Sequence, residues 1–250
     1  MRKCYGQLCQ DLLALDFFRS FPARHKVFLD VGAFDGITFS NTRLFFEEGW
    51  SGVCIEPCLK NYSKLELLYK DTTVVTVKVA ATDYEGELEL NVATIPWAEE
   101  HGSPVSSHAT DVIKRWPDFI WEKEIVSATT VNQILESNNI THIDFVSIDV
   151  EGQEMAVLRG FDLYKYQPHL IVVEYLGVAE KYELLEYLKL HDYFLWSDNG
   201  QDIFLVRGSK IVHLNILFKG WWHQHRRRLL DKLRRIKILF TLRNLNLKIK

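Results

Sequence analysis

Five short apolar, β-branched runs recur along the chain with helix-like segments between them, and this alternation restricts the fold more than any other feature. The runs are Val27–Val31, Gly52–Glu56, Thr73–Ala80, Ile143–Val150 and Leu170–Tyr175. Thr38–Glu48, Leu59–Tyr69 and Gly152–Phe161 lie between them with helical spacing. Strands that alternate with helices predict a parallel sheet covered on both faces. Continuous apolar runs suit strands buried on both sides. A helix over Ala179–Leu190 follows, then two strand-like runs, Tyr193–Ser197 and Asp202–Arg207, joined by the hairpin signal Asp198–Asn199–Gly200. The expectation is a doubly wound α/β fold with a mostly parallel seven-stranded sheet and a terminal antiparallel hairpin. Residues 83–128 break the alternation. Glu87–Val92 reads there as an exposed strand and Ala93–Thr110 as a long polar stretch, of the kind that is a lid, a binding loop or disordered.

The first run ends in VFLDVGAFDG, residues 27–36, where an acid leads straight into a glycine turn. Ligands of doubly wound sheets bind at such turns, at the carboxyl ends of the strands. A dinucleotide would call for G-x-G-x-x-G, yet Phe34 and Ile37 stand where its second and third glycines belong. Asp30 and Asp35 would repel a pyrophosphate and suit a cation or an ammonium group. Glu56 ends the second strand, at the distance expected of an acid that accepts from ribose hydroxyls. Gly32, Ala33 and Gly36 complete a turn that reads as a nucleoside site without phosphates. S-adenosylmethionine, with a sulfonium, an α-amino group and no phosphate, has that chemistry. The terminal hairpin agrees, since it marks the methyltransferase variant of the Rossmann-like sheet.

A second constellation, FVSIDVEGQEMAVLRG, ends the fourth strand at residues 145–160. Asp149 and Glu151 sit two apart, so an extended chain would point both the same way. They are candidates to orient or deprotonate a substrate hydroxyl or, with Glu174 at the end of the fifth strand, to hold a divalent metal. Glu154 falls in the first helical turn, where the helix dipole favours it. Asp83 after the third strand is a candidate acceptor for an adenine amino group, or a turn former. His108 and His101 on the long loop are candidate bases, and Trp97, Trp116 and Trp121 flank that loop.

VFLDVGAFDG, the strand ending CIEP, VSATTVNQIL, IDFVSIDVEGQEMAVLRG and LIVVEY follow in that order and resemble the FkbM family of S-adenosylmethionine-dependent methyltransferases over roughly residues 25–206. The resemblance implies a class I methyltransferase fold and O-methylation of hydroxyls on sugars, glycans or other small molecules. The loop over 93–123 is expected to choose the acceptor. It places Asp30, Gly32 and Gly36 in the cofactor turn, Glu56 on the ribose, and Asp149, Glu151 and Gly152 in the fourth-strand motif. Many members carry Asn where this chain has Phe34.

The net charge of −3 hides an asymmetry. Lys219–Lys250 holds eleven Lys or Arg against one acid, so the remainder carries −13. Leu229, Leu230, Leu233, Ile236, Leu239 and Phe240 recur there at helical spacing. The chain divides into an N-terminal helical segment (1–24), a methyltransferase-like domain (25–208) and a basic amphipathic C-terminal helix (209–250). That tail suits an anionic membrane surface or a partner, or docking on the acidic remainder of the chain, and no nucleic-acid motif accompanies it. It supports a rival reading, a non-catalytic binding or trafficking protein of the same fold tethered to a membrane. The four cysteines, 4, 9, 54 and 58, lack the spacing of a zinc site, and Cys54 reads as a buried thiol, which points to a reducing, cytoplasmic setting. The N-terminus is a poor signal peptide, and no window reaches 18 uncharged apolar residues.

Overall fold

The computed structural model describes residues 3–94, 106–107 and 119–208. In chain order its elements are α1 (Gln10–Ser20), β1 (Val27–Val31), α2 (Arg43–Glu47), β2 (Ser51–Ile55), α3 (Leu59–Tyr69), β3 (Val74–Val77), β4 (Ala80–Thr82), β5 (Gly86–Thr94), β6 (Ser106–Ser107), β7 (Ile120–Thr130), α4 (Val131–Ser137), β8 (Phe145–Ile148), α5 (Glu154–Arg159), α6 (Leu163–Tyr166), β9 (Leu170–Glu174), α7 (Val178–Leu190), β10 (Tyr193–Asp198) and β11 (Asp202–Arg207).

Seven strands form one sheet in the order β10-β11-β9-β8-β1-β2-β3. Its strands run parallel except β11, which is antiparallel to both β9 and β10. This is the class I methyltransferase topology anticipated from the strand alternation and the hairpin. In the hairpin turn, Asn199 Oδ1 accepts from the backbone N–H of Gln201 and Asp202, at 2.9 and 2.7 Å. Strand order reverses between β1 and β8, which opens a crevice at their carboxyl ends.

Alternation along the strands gives the two faces different chemistry. Leu29, Val31, Val146, Ile148, Ile171 and Val173 join Leu135, Leu158, Leu184 and Leu188 of the covering helices in an aliphatic core. On the opposite face, Phe28 and Phe145 meet an aromatic layer. Phe45 packs on Phe145 with ring centroids 4.6 Å apart, and Phe18 of α1 sits edge-on to Trp50 at 4.9 Å. The N-terminal segment therefore belongs to the core of this domain.

Several expectations change. The expected third strand breaks at Lys78–Val79, and the chain passes into a second sheet, β4-β7-β5-β6. The expected loop over 93–123 overlaps β5, β6 and β7; β7 pairs antiparallel along the whole of β5, from Gly86↔Ala128 to Thr94↔Ile120. Residues 95–105 and 108–118 lie outside the described residues. The helix expected over Thr38–Glu48 forms only at Arg43–Glu47. Before it, Asp35 Oδ1 accepts from Ile37 N and Thr38 N, and Ser40 Oγ from Arg43 N, which holds the chain in turns. Cys4 and Cys9 form a disulfide with Cα atoms 5.4 Å apart, at odds with the reducing compartment expected from the cysteine spacing. Cys54 and Cys58 are buried free thiols. No helix among the described residues is long and apolar enough to cross a membrane.

The two candidate glycines of the first turn have structural duties. Gly32, at φ +85°, lies so close to the end of β8 that a Cβ would sit 1.8 Å from the Asp149 carbonyl oxygen. Gly36, at φ +76°, would place its Cβ 2.8 Å from the ends of Leu65 and Leu68. Both would suffer left-handed strain of about 1–2 kcal/mol as alanine. Only Gly32 would also drive β1 and β8 apart, because backbone cannot step aside as a leucine methyl can. Gly32→Ala is expected to lower the urea midpoint at least twice as far as Gly36→Ala; equal losses would show that the backbone contact is not limiting.

Candidate active site

The crevice at the carboxyl ends of β1, β2 and β8 is a cavity of about 970 Å³, open mouth included. Asp30 and Ser147 reach it from adjacent strands, in register with each other. Glu56 follows β2, while Asp149 and Glu151 follow β8. Leu88 and Leu90 of β5 bring the second sheet to its apolar wall, opposite Ile55 and Pro57. None of the described lining residues is Lys, Arg or His.

Glu56 is 3% exposed. Its Oε2 accepts from Phe34 N at 3.0 Å, and its Oε1 from Cys58 N at 3.0 Å and Asn61 Nδ2 at 3.1 Å. Burial nonetheless pushes its carboxyl up to about 7, against the pull of those three bonds, with Asp30 adding a small upward push. Asp30, 4% exposed, accepts from Thr42 Oγ1 at 2.5 Å. Burial raises it to about 7 as well; Thr42 opposes the rise and Asp149 adds to it. Asn41 donates through Nδ2 to Ser147 Oγ at 3.1 Å, while its Oδ1 is buried with no protein partner. Thus Asp30 and Glu56 are both on the cavity lining, while the Asn41 amide oxygen lies close to Gly6.

The turn has little left to offer an anion. Gly32 N and Ala33 N both donate to Ile55 O at 3.0 Å, and Gly36 N donates to Ala33 O at 2.9 Å. Phe34 N is spent on Glu56, and Ile37 N and Thr38 N on Asp35. A phosphate cradle needs such N–H groups free and aimed outward. Here they stabilise the turn itself.

The second constellation assembles by a different route from the one expected. β8 ends at Ile148, and the chain turns left-handed at Glu151 (φ +54°) and Gly152 (φ +92°). This turn, not extended alternation, brings carboxylate oxygens of Asp149, Glu151 and Glu174 within 4.8 Å of one another. Burial raises Asp149 to about 6, while a hydrogen bond from Glu174 holds it down. Glu174 is pushed far above the ordinary glutamate range, by burial first and then by Asp149 and Glu151. Crowded acids of this kind share protons readily, so the spacing suits a shared proton as well as an ion.

Other candidates fall elsewhere. Asp35 caps its own turn, with Thr38 Oγ1 donating to its Oδ2 at 2.8 Å, and neither it nor Gly36 is among the lining residues. Asp83 accepts from Arg159 Nε at 2.8 Å and is likewise absent from the lining, so its ion pair does not support the adenine reading. Ala33 lines the cavity. His108, His101, Trp97 and Trp116 lie outside the described residues, as does the basic tail. Trp121 packs near Phe119, with ring centroids 6.1 Å apart. Asn41, Thr42 and Ser147 went unpredicted. Their one signal was polarity in unexpected places, Ser147 in the middle of an apolar strand.

The methyltransferase FkbM domain profile matches residues 30–195, well over half of the chain. The protein belongs to the FkbM methyltransferase family. No curated protein matches it significantly in sequence. Its similar solved structures are distant. A candidate RNA methyltransferase from Pyrococcus horikoshii is 9% identical at TM-score 0.43, covering 80% of this chain and 82% of its own. Precorrin-6y C5,15-methyltransferase from Geobacter metallireducens is 11% identical at TM-score 0.40, covering 80% and 87%. The family implies S-adenosylmethionine as methyl donor, and the FkbM cavity fits it. The acids suit an ammonium and a sulfonium, Glu56 suits a ribose diol, and the apolar wall suits a base.

The raised carboxyls set a pH dependence. Asp30, Glu56 and Asp149 hold protons more tightly folded than unfolded, where aspartate and glutamate ionise near their ordinary values of 3.8 and 4.5. Their contribution to stability is complete below those values and is lost as pH rises through about 6 to 7. The urea midpoint of the ligand-free protein is therefore expected to fall between pH 5 and 7.5, and the fall to flatten in an Asp30→Asn, Glu56→Gln double variant. A midpoint that rises over this range in the wild type would contradict the assignment.

Proposed function

We propose that this FkbM methyltransferase transfers a methyl group from S-adenosylmethionine to a hydroxyl of a sugar, a glycan or another small-molecule acceptor. The observation that supports it is a buried acidic cavity, without a basic residue on its described walls, that continues directly into the Asp149–Glu151 turn. Asp30 and Asp149 would face the cationic amino end of the donor. Glu56, already fixed by Phe34, Cys58 and Asn61, would accept from the ribose hydroxyls. Leu88, Leu90, Ile55 and Pro57 would enclose the base. Bound there, the donor supplies an activated sulfonium methyl for in-line displacement. Asp149 or Glu151 would align the acceptor hydroxyl and take its proton, and alignment accounts for much of the rate in such a reaction. No step requires a metal.

The rival reading, a non-catalytic protein tethered by its tail, does not account for the four carboxyls kept at the crevice. The basic segment Lys219–Lys250 would instead bring the activity to an anionic membrane surface. A charged hydrogen bond is worth about 1.5–3 kcal/mol, so Glu56→Ala is expected to weaken S-adenosylhomocysteine binding by roughly 10- to 100-fold in calorimetric titration. Glu151→Gln should retain binding and lose methyl transfer in a screen of polyol and glycan acceptors, whereas Asp149→Asn should weaken both. A folded wild type that fails to bind S-adenosylhomocysteine would end the proposal.

A further inference from the structure

One buried carboxyl next to the site has no place in the reaction just described. Glu154 opens α5, is 0% exposed and does not line the cavity. Its Oε1 accepts from Val150 N and from Gly152 N, both at 3.1 Å. Those two N–H groups flank Glu151, so a single oxygen closes the left-handed turn that swings Glu151 towards Asp149. The other oxygen, Oε2, is buried and finds no partner if both neighbouring acids are ionised. The side chain of Glu180 on α7 neighbours this carboxyl. Glu180 is itself committed: its Oε2 accepts from Leu176 N at 2.6 Å, in the loop that follows β9 and Glu174. Two facing carboxyls attract only when one of them carries a proton that the other accepts.

We propose that Glu154 is a positioning residue that donates a proton-bearing Oε2 to Glu180, tying the turn after β8 to the loop after β9 and so fixing Asp149 and Glu151 relative to Glu174. Burial, and then Glu180, push Glu154 well above the ordinary glutamate range, in agreement with a neutral acid at this place. The link has no contact with donor or acceptor and acts only through the residues it holds. Its catalytic meaning rests on the methyltransferase reading, but its existence does not.

Amide hydrogen exchange at Val150, Gly152 and Leu176 tests it, alongside S-adenosylhomocysteine titration of each variant. Glu154→Gln can accept both turn N–H groups through its carbonyl and donate to Glu180 through its amide. It should leave exchange at all three amides within about twofold of wild type. Glu154→Ala should speed Val150 and Gly152 by about tenfold or more, and should also speed Leu176, which it does not touch. Glu180→Ala should speed Leu176 and, across the link, Gly152, which keeps the test decisive if Glu154→Ala does not fold. The double Ala variant should be no faster at Leu176 than Glu180→Ala alone. Glu154→Gln behaving like Glu154→Ala, or Leu176 unmoved by Glu154→Ala, would overturn the proposal. Loss of S-adenosylhomocysteine binding by the wild type would overturn the methyltransferase reading and leave the link standing.

Discussion

Uncompensated negative charge governs this crevice. Asp30, Glu56, Asp149 and Glu151 open onto one cavity with no basic residue among its described walls. Burying a carboxylate is costly, and the free protein avoids the cost by holding protons on Asp30 and Glu56, which rise to about 7, and on Asp149, which rises to about 6. Such a site is set for a cationic ligand. When a cation enters, the acids can ionise against it, and binding free energy then offsets the desolvation that the empty site meets with protons. A nucleotide with phosphates would find neither countercharge nor free amides, because the turn N–H groups are spent on Ile55, Ala33, Asp35 and Glu56. The same few hydrogen bonds that fix the turn therefore also choose the class of ligand.

This explains how far the sequence could be read. Strand alternation and the Asp198–Asn199–Gly200 signal are local and follow from periodicity and turn chemistry, so the seven-stranded sheet and its hairpin were legible, with β1 and β11 at their expected bounds. Glu56 and Asp149 were legible because strand ends in a doubly wound sheet have a known destination. The second sheet was not. β7 begins with Ile120, and its next residues Trp121, Glu122, Lys123 and Glu124 do not alternate in burial; of its residues only Val126 and Ala128 face a small core with Leu88 and Leu90. A strand held mainly by backbone pairing to β5 leaves little pattern in its side chains.

Long-range polar pairing was equally hidden. Asn41 and Ser147 are 106 residues apart and Glu154 and Glu180 are 26 apart, and no spacing rule joins either pair. Gly32 reads as room for a ligand and lines the cavity, and its missing Cβ also makes room for the Asp149 carbonyl. That contact draws β1 and β8 together at the one place where strand order reverses, so the distance from Asp30 to Asp149, and with it their mutual electrostatic push, is set by a glycine that need not touch the ligand.

Phe34 shows the same division between backbone and side chain. It sits at φ +52°, a region that Asn tolerates and a bulky residue avoids. The hydrogen bonds give the reason. Phe34 N donates to Glu56 Oε2 at 3.0 Å, and the left-handed conformation aims it there. Strain of about 1–2 kcal/mol is tolerable where it supplies one of three bonds to a buried carboxyl and where the ring gains burial in exchange, at 9% exposure. What the position supplies is the direction of its N–H; Phe34 reaches that direction by packing, and Glu56 is held by it.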